Sequence, residues 1–465
     1  MGRVVRTIGV VVVASVILLT GAFFSAGGWQ IVTTLRGPTL PDAPVALTPA
    51  GDLTYLRAAV IANERGATDE QFAAFTSLLD ESRPPDTVDD LTLVASRALA
   101  SFDNAHTTLV RPVMHRLPIR LHWTADALIV VKSRPEYAAL LGRRIVSLGG
   151  RTPEEMLASM PLLVGGGTAS WRRYRSEYFL SAPAALAFLG ADLRDGTIEL
   201  RTVDAAGEEE TTVLVADADP LPGDAFWDFL DAFPGDTHFQ TDGWLTLLHR
   251  DQELPIYLQE GDKLFLLRPL PDHRAVYVRL NGSVNDDTET LAAFTRRVLA
   301  EVSQGEPSNI IVDFRYNRGG DYTMVLPLVE GLSRALPVNG RLYLIVGPNT
   351  FSAGLLAGSQ FKRFLGGRLT VVGEEVGDRL RFRGEGVMVT LPATNVEVNL
   401  ATAWDDVAAD CGWFGDCWPL NKVLLRGVGS LDPDLRVSNT WESYREGRDL
   451  VVEAVFADIS RRGGR

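Results

Sequence analysis

The stretch Asn309-Ile-Ile-Val-Asp-Phe-Arg-Tyr-Asn-Arg-Gly319-Gly320 decides how the second half of this 465-residue chain is interpreted. Its apolar, β-branched start is typical of a buried strand, and the glycine pair at its end marks a tight turn that needs positive φ. A second apolar run, Leu342–Val346, leads through a short turn to Ser352, after which the residues favour a helix. The pattern predicts one strand that ends in a glycine turn and a second that delivers a serine to the start of a helix.

Around these two strands, segments of strand and helix alternate along the chain. Such alternation indicates a largely parallel sheet with crossover helices, and therefore an α/β fold class. The predicted strands are Ala275–Leu280, Ile310–Arg315, Leu342–Val346 and Leu369–Val372, and the predicted helices lie near Glu289–Val302, Tyr322–Ala335 and Ser352–Phe364.

The first half of the chain is organised differently. Apolar residues at helical spacing between positions 53 and 99 predict three helices, and the last of them leads into the polar turn Asp103-Asn-Ala-His106-Thr107. From Leu117 to about Pro220 the pattern changes to short strands with one or two helices. A chain of this length exceeds what one hydrophobic core usually serves, so two or three domains are expected.

Ser352 stands where a strand ends and a helix begins, and this position has two interpretations. A serine at a helix N-terminus is often only an N-cap. The same position suits a nucleophile, because the free amides and the dipole of the helix stabilise a developing oxyanion. Gly320 and the amide of Ala353 are the candidate oxyanion-hole donors, since such a donor needs a backbone N–H with no side chain in the way.

His106 is the candidate general base. It lies in a polar turn just after a helix, and an imidazole has a pKa near working pH, as activation of a serine hydroxyl requires. His122, in a predicted strand, is the weaker candidate among the six histidines. A serine, a histidine and two free amides together predict acyl transfer, and hence a serine peptidase.

The net charge, the two cysteines and the N-terminal segment restrict the possible binding partners of the protein and its cellular compartment. A net charge of −14 argues against nucleic acid, because phosphate binding needs clustered Lys and Arg. Arg3 and Arg6 precede an uncharged stretch from Thr7 to Leu35, the pattern of a secretory signal or an N-terminal anchor that places the body of the protein outside the cytoplasm. There Cys411 and Cys417 are expected to form a small disulfide loop, with two unpaired thiols as the alternative.

These motifs, in this order, resemble those of the S41 peptidase family, the tail-specific and carboxyl-terminal processing proteases with the tricorn core protease. The resemblance implies a crotonase-like ββα-superhelix catalytic domain with Ser352 as nucleophile, an N-terminal helical bundle and a PDZ-like α+β domain. The matching phrases are the Asp-x-x-His-Thr turn at residues 103–107, Gly142-Arg-Arg-Ile-Val-Ser-Leu-Gly-Gly150, the strand with Asp313, Arg315, Asn317 and the glycine pair, Thr350-Phe-Ser352-Ala353, Val372-Gly-Glu374, Asp432-Pro-Asp434 and Gly447-Arg-Asp449.

The resemblance and the patterns together predict six segments. Residues 1–30 are a signal peptide or an N-terminal membrane anchor, whose apolar part at 8–27 approaches the length that spans a bilayer. The segments that follow are a Pro-rich tether at 31–50, the helical region with the His motif at 51–112, the PDZ-like domain at 113–220, a connector at 221–255 and the catalytic domain at 256–465.

Members of the S41 family differ in the base that activates the serine. The tail-specific branch uses a lysine shortly after a Val-Gly-Glu turn, and in this chain Asp378 stands at that place. Lys362, in the same predicted helix as the serine, is about 15 Å away along the helix axis and cannot serve. His106 is then the base, as in the tricorn-like branch.

The tricorn-like branch also implies a glutamate nearly sixty residues after the serine. This chain has no glutamate there, and Asp410 is the candidate third member of the site. Its acidic neighbours are Asp405, Asp406 and Asp416. The alternative for this loop is an ordinary solvated surface.

The sequence therefore predicts an exported serine endopeptidase, periplasmic or secreted, that hydrolyses peptides or proteins. It forms an acyl-enzyme through Ser352, with His106 as general base, and no cofactor or metal is implied. The alternative is a catalytically silent protein of the same fold that binds a lipophilic ligand or a peptide, as the retinoid-binding proteins with this fold do.

Overall fold

The structure is a computed structural model that describes residues 2–25, 27–42, 44, 46–222, 243–248, 253–413 and 417–463. Most of the predicted connector at 221–255 lies outside these ranges, as does Asp416. The chain begins with helices α1 (Gly2–Ser25) and α2 (Gly28–Arg36). Among the described residues no helix is long and apolar enough to cross a membrane, and the anchor at residues 8–27 stays a prediction.

Three helices follow, at the places where the apolar spacing predicts them: α3 (Pro49–Asn63), α4 (Asp69–Glu81) and α5 (Val88–Ala100). Each begins after a threonine whose side chain accepts a hydrogen bond from an amide of the first turn. Their apolar faces, which include Leu56, Phe75 and Leu99, share one core with Val389 and Val398 from the second half of the chain. The helical region therefore packs against distant sequence.

The middle of the chain is built around an antiparallel sheet. Strands β3 to β8 and β10 form this sheet, and β2 pairs with β9. Its core includes Phe351, the residue before Ser352, so the middle region packs directly on the serine turn. The elements are β1 (Thr108–Arg111), β2 (Val113–Met114), β3 (Ile119–Trp123), β4 (Leu128–Ser133), β5 (Arg144–Leu148), α6 (Pro153–Ser159), α7 (Ala169–Phe179), α8 (Pro183–Phe188), β6 (Leu193–Arg194), β7 (Thr197–Val203), β8 (Glu209–Val215), β9 (Leu221–Pro222) and β10 (Leu245–Thr246).

The second half is built around a six-stranded sheet with the order β11-β12-β13-β14-β15-β18. β11 is antiparallel to β12 and the remaining pairs are parallel, which confirms the predicted parallel sheet with crossover helices. The elements are β11 (Phe265–Leu270), β12 (Ala275–Leu280), α9 (Leu291–Gly305), β13 (Asn309–Asp313), α10 (Tyr322–Ala335), β14 (Arg341–Val346), α11 (Ala353–Leu365), β15 (Leu369–Gly373), β16 (Arg381–Thr390), β17 (Glu397–Asp406), α12 (Asn421–Leu424), β18 (Leu435–Arg436), α13 (Trp441–Arg445) and α14 (Leu450–Gly463).

Helices cover both faces of the parallel sheet, which explains the unbroken apolar runs of its strands. On one face Ile310 and Leu344 pack with residues of α9, α10 and α11. On the other face Ile311 and Tyr343 pack with residues of α14. The turns that follow β13 and β14 lie at the carboxyl ends of adjacent parallel strands, and this register brings the glycine turn and the serine together.

A third sheet joins the two halves of the molecule. β16 and β17 form an antiparallel hairpin, and β1 pairs with β17 through Thr108 and Asn399. Because Thr108 directly follows the His turn, this pairing carries residues 103–107 to the second half of the chain. Beyond the hairpin, Cys411 and Cys417 form a disulfide, as predicted.

Candidate active site

Ser352 occupies the turn between β14 and α11 in an unusual backbone conformation. Its φ of 50° and ψ of −124° lie in a region that L residues rarely adopt and that is often found at functional sites. The turn is held because the Thr350 hydroxyl donates to Phe314 O (2.8 Å) and the Phe351 amide donates to Asn317 O (3.0 Å). Within the described part of the chain, the Ser352 side chain makes no capping hydrogen bond to α11. Its hydroxyl is therefore not used as an N-cap.

Gly319 lies directly against this serine. A Cβ atom on Gly319 would be 2.7 Å from Ser352 Cβ, 3.2 Å from Ser352 Oγ and 3.1 Å from the Ala353 amide nitrogen. The absent side chain thus leaves space beside the hydroxyl and beside the first amide of α11. Both Gly319 and Gly320 have φ of 122°, a conformation that favours glycine. The motif residue Asn317 fixes the turn, because its Oδ1 accepts a hydrogen bond from the Gly319 amide (3.1 Å).

Four of the five predicted site residues line one cavity of about 480 Å³: His106, Gly320, Ser352 and Ala353. The cavity thus joins the His turn, the glycine turn and the serine turn, which come from three distant parts of the sequence. The fifth predicted residue, Asp410, is exposed and does not line this cavity in the described structure. Its carboxylate accepts a hydrogen bond from the Gly427 amide (2.8 Å).

The His106 ring is buried in a stack of aromatic rings. Its centroid is 4.4 Å from that of Phe351 and 5.1 Å from that of Phe382, and Trp171 stacks on Phe351 at 4.3 Å. The backbone carbonyl oxygen of His106 accepts a hydrogen bond from Asn399 Nδ2 (2.6 Å). Because Phe351 directly precedes Ser352, the stack places the imidazole beside the serine turn.

The carboxylate next to His106 is Asp378, at the position that the resemblance reserves for lysine. His106 Nδ1 is 3.3 Å from Asp378 Oδ2, and the two side chains are only 4% and 2% exposed. The other oxygen, Oδ1, accepts a hydrogen bond from the Arg379 amide (2.8 Å). Within the described residues both ring nitrogens of His106 are buried and neither makes a hydrogen bond, so Asp378 is in close contact with Nδ1 without a hydrogen bond in this geometry. A histidine with a carboxylate at Nδ1 and an uncommitted Nε2 has the arrangement of a general base.

The family resemblance already indicated the location of Asp378. Asp378 occupies the position of the catalytic lysine in the tail-specific branch that the motifs resemble, and a residue at that position is expected near the serine whatever its type. The structure holds the turn there, because the Gly377 amide donates to Thr350 O (3.0 Å) and the Thr168 hydroxyl donates to Val376 O (2.7 Å). Lys362, which the sequence excludes as base, donates instead to Ser430 O.

Three further carboxyl groups line the cavity, those of Glu385, Glu397 and Asp405, and the sequence did not predict any of them as part of its wall. Burial raises the pKa of Glu385, although the nearby His106 lowers it. Burial also raises the pKa of Asp405 well above its usual value, with a further increase from Glu385. Asn421 Nδ2 donates to Asp405, and the Tyr322 hydroxyl donates to Asn421 Oδ1 (2.5 Å). Asp405 is therefore a hydrogen-bonded part of the cavity wall whose burial favours the protonated form.

A buried ion pair lies behind the His turn. Arg383 of β16 pairs with Glu64, which follows α3, and the two side chains are 3% and 0% exposed. The Thr107 hydroxyl donates to Glu64 Oε2 (2.6 Å), and Arg383 Nη2 donates to Phe102 O (3.1 Å). The pair thus connects both ends of the His turn to β16.

No group of three or more His, Cys, Asp or Glu side chains in the described ranges could hold a metal ion.

Among known proteins, solved structures match this chain in fold. No protein-family profile and no curated protein sequence matches the chain. The solved structure of mature CPAF complexed with lactacystin is similar with a TM-score of 0.54 and 11% identity, over 89% of this chain and 98% of that chain. Mature CPAF alone gives a TM-score of 0.53 and 13% identity, over 89% and 97%.

A putative S41 protease from Bacteroides fragilis NCTC 9343 covers 75% of this chain and 83% of its own at 12% identity. Its TM-score of 0.31 is too low to add to the argument. The chain has the mixed α/β fold of CPAF. This likeness is one of fold, and the S41 peptidase family is the family that the sequence motifs resemble.

Proposed function

We propose that this protein is a serine endopeptidase of the S41 type that cleaves peptides or proteins. The observation that carries the proposal is the shared cavity, in which Ser352, His106 and the two amide-bearing residues Gly320 and Ala353 meet. The likeness in fold to CPAF agrees with it, although at 11% identity the likeness alone assigns no residue a role. We assign the third position to Asp378 rather than to Asp410, because Asp378 contacts the imidazole.

In the first half of the reaction, Ser352 Oγ attacks the carbonyl carbon of the scissile peptide bond, and its proton passes to His106 Nε2. The negative charge that forms on the carbonyl oxygen is held by the Gly320 and Ala353 amides. Removal of one such donor typically costs a factor of about 10²–10³ in rate. The C–N bond then breaks, the imidazolium gives its proton to the leaving amine, and the acyl group remains on Ser352.

In the second half, a water molecule attacks the acyl carbon while His106 Nε2 takes one of its protons. The ester bond to Ser352 breaks, the serine oxygen recovers a proton from the imidazolium, and the carboxylic acid product leaves. In both halves Asp378 accepts a hydrogen bond from Nδ1–H of His106, which keeps Nε2 unprotonated before attack and stabilises the imidazolium afterwards.

The finer features predicted from the sequence belong to the same proposal. We assign the second half of the chain to the crotonase-like superhelix and the middle region to the PDZ-like module that binds a peptide strand at a sheet edge. The N-terminal segment with Arg3 and Arg6 is proposed as the export signal or anchor, which places the peptidase outside the cytoplasm. The silent ligand-binding alternative explains neither the strained serine nor the open space beside its hydroxyl.

Labelling with a fluorophosphonate tests the proposal. The purified protein should react at one serine, and Ser352→Ala should abolish the labelling. Ser359→Ala is a matched control from the same helix, since the Ser359 hydroxyl is already committed to Leu356 O (2.6 Å). Equal labelling of the wild type and of Ser352→Ala would contradict the assignment of the nucleophile.

A further inference from the structure

The wall of the proposed active-site cavity contains three carboxyl groups, those of Glu385, Glu397 and Asp405, and none of them forms an ion pair within the described residues. Glu385 lies on β16 and lines the cavity together with Ser352. Within the described residues it forms no ion pair, and the titratable groups around it are His106, Asp321 and Asp405. Glu385 is half-buried, and a half-buried carboxylate without an ion pair or a hydrogen bond gains most from a cationic partner, which a substrate side chain can supply.

The backbone around Glu385 presents this side chain at an energetic cost. Glu385 has φ of 44° in the middle of a strand, a left-handed conformation that is unfavourable for an L residue. Gly384 and Gly386 flank it, and a Cβ atom on Gly386 would be 2.4 Å from Asn399 Oδ1. The strand is thus irregular at the residue whose carboxyl group lines the cavity.

The rest of the lining is suited to a long side chain with an apolar stem. Val110, Leu356 and Met388 line the same cavity, and no Lys or Arg of the described chain does so. His106, whose ring nitrogens make no hydrogen bond within the described residues, lines the same cavity, so the proposed reaction centre and Glu385 share one space. Lysine and arginine side chains bury their methylene stems on apolar surface and pair their charged heads with carboxylates.

We propose that Glu385 selects substrates with a lysine or arginine side chain next to the scissile bond. The stem of that side chain packs on Leu356, Val110 and Met388, and its cationic head pairs with Glu385. This inference rests on the proposed peptidase function and adds a substrate class to it. Glu385 is here a specificity residue, whereas Ser352 and His106 carry the bond-breaking steps.

Two fluorogenic peptides of equal length test the proposal, one with arginine and one with norleucine next to the cleaved bond. We expect the wild type to have a kcat/KM about 10- to 100-fold higher for the arginine peptide. Glu385→Gln should lower this ratio at least tenfold, mainly through KM for the arginine peptide. Glu330→Gln, a change at a partly exposed residue further along α10 that does not line the cavity, should leave the ratio unaltered.

The outcomes separate this inference from the proposed function. A wild type that reacts with a fluorophosphonate but shows no preference for arginine would overturn the inference alone. Equal losses for both peptides in Glu385→Gln would also overturn it, because Glu385 would then act through His106 on the chemistry. Absence of both labelling and hydrolysis would overturn the proposed function instead.

A pH series gives a further readout. The groups that face Glu385 are His106 from the His turn, Asp321 at the start of α10 and Asp405 from β17. Because a protonated Glu385 has no charge, the preference for arginine should decrease as the pH falls, and it should stay constant in Glu385→Gln. A wild-type preference that does not change with pH would contradict the role of the Glu385 charge.

Discussion

Two histidines of this molecule have similar neighbours, yet only one belongs to the proposed active site. His106 Nδ1 is 3.3 Å from Asp378, and His122 Nδ1 is 3.2 Å from Glu177. Each ring lies beside an aromatic ring, Phe351 for His106 and Tyr444 for His122. Each also lines a cavity that contains a serine.

The difference lies in the serine and in the space around it. Ser170, in the His122 cavity, is an ordinary residue in the first turn of α7. Ser352 has a strained backbone at the start of α11 and faces a glycine turn. The His122 cavity measures about 80 Å³, against about 480 Å³ around Ser352. A histidine beside a carboxylate is therefore not sufficient evidence of catalysis, which also needs oxyanion donors and room for a substrate.

The largest expected effect comes from the two histidines themselves. His106→Ala should lower kcat/KM about 10⁴-fold, because the Ser352 proton then has no acceptor. His122→Ala should change kcat/KM less than threefold. Hydrolysis of one fluorogenic peptide, measured with both variants at equal concentrations of folded protein, checks this. An equal loss of activity in both variants would contradict the assignment of His106, and not His122, to the active site.

The carboxylates provide the next test. Asp378→Asn should lower kcat about 10³-fold, because the neutral amide does not stabilise the imidazolium and its Nδ2 donor favours the wrong tautomer of His106. Glu177→Gln, the matched change beside His122, should have little effect on kcat. Steady-state kinetics with circular dichroism of each variant separates a catalytic loss from unfolding.

The same kinetic experiment decides between Asp378 and Asp410. Asp410→Asn should retain wild-type kcat, since the exposed Asp410 carboxylate contacts Gly427 and not His106. A large loss in Asp410→Asn combined with a small loss in Asp378→Asn would restore Asp410 as the third residue of the site.

The glycine turn beside Ser352 allows a finer test of the open space around the serine hydroxyl. Gly319→Ala should lower kcat about 10²-fold, because the added methyl group would crowd Ser352 Oγ and the Ala353 amide. Gly366→Ala at the end of α11 is the control, since it also has positive φ (52°) but nothing within 4 Å of the added atom. Both variants should lose stability in thermal melts. Only Gly319→Ala should also have a lower kcat. An equal loss of kcat in both variants would contradict a role for the open space beside Ser352.

The features that the sequence predicted correctly depend on local patterns. Apolar runs, a glycine pair and a serine before a helix are visible in short windows, so the strands of the parallel sheet and Ser352 could be placed. Asp378 and Glu385 could not be placed in this way, because their positions depend on how the turn after β15 and the β16–β17 hairpin fold back onto the serine. Asp410 was selected from its distance in sequence to the serine, which does not determine a contact in space.

The approach of His106 to the serine turn depends on contacts between distant parts of the sequence. It depends on the pairing of β1 with β17, and the hydrogen bond from Asn399 to His106 O spans 293 positions of sequence. No local pattern encodes such a contact. Only the motif order, through the family resemblance, indicated that the turn at residues 103–107 would reach the serine.

The smallest expected effect on turnover concerns how the two histidines are held. His122 lies within β3, whose register fixes it, whereas His106 lies in a turn that depends on Glu64 and Arg383. Glu64→Gln should leave the Arg383 charge buried without its partner and lower the free energy of unfolding by about 3–5 kcal/mol. Asp80→Asn, which removes the exposed pair with Arg57, should cost at most about 1 kcal/mol. Urea denaturation of the three proteins measures these differences.

The kinetic consequence of Glu64→Gln should be modest, a decrease in kcat of about tenfold or less where the variant is folded. Asp378 and the Phe351–His106–Phe382 stack still hold the imidazole, so the loss of the ion pair loosens the turn without removing a reacting group. A decrease as large as that of His106→Ala would mean that Glu64 acts on the chemistry itself. Unchanged stability would mean that the His turn, like His122, is fixed by its strand alone, and the contrast between the two histidines would then rest only on the serine and its glycine turn.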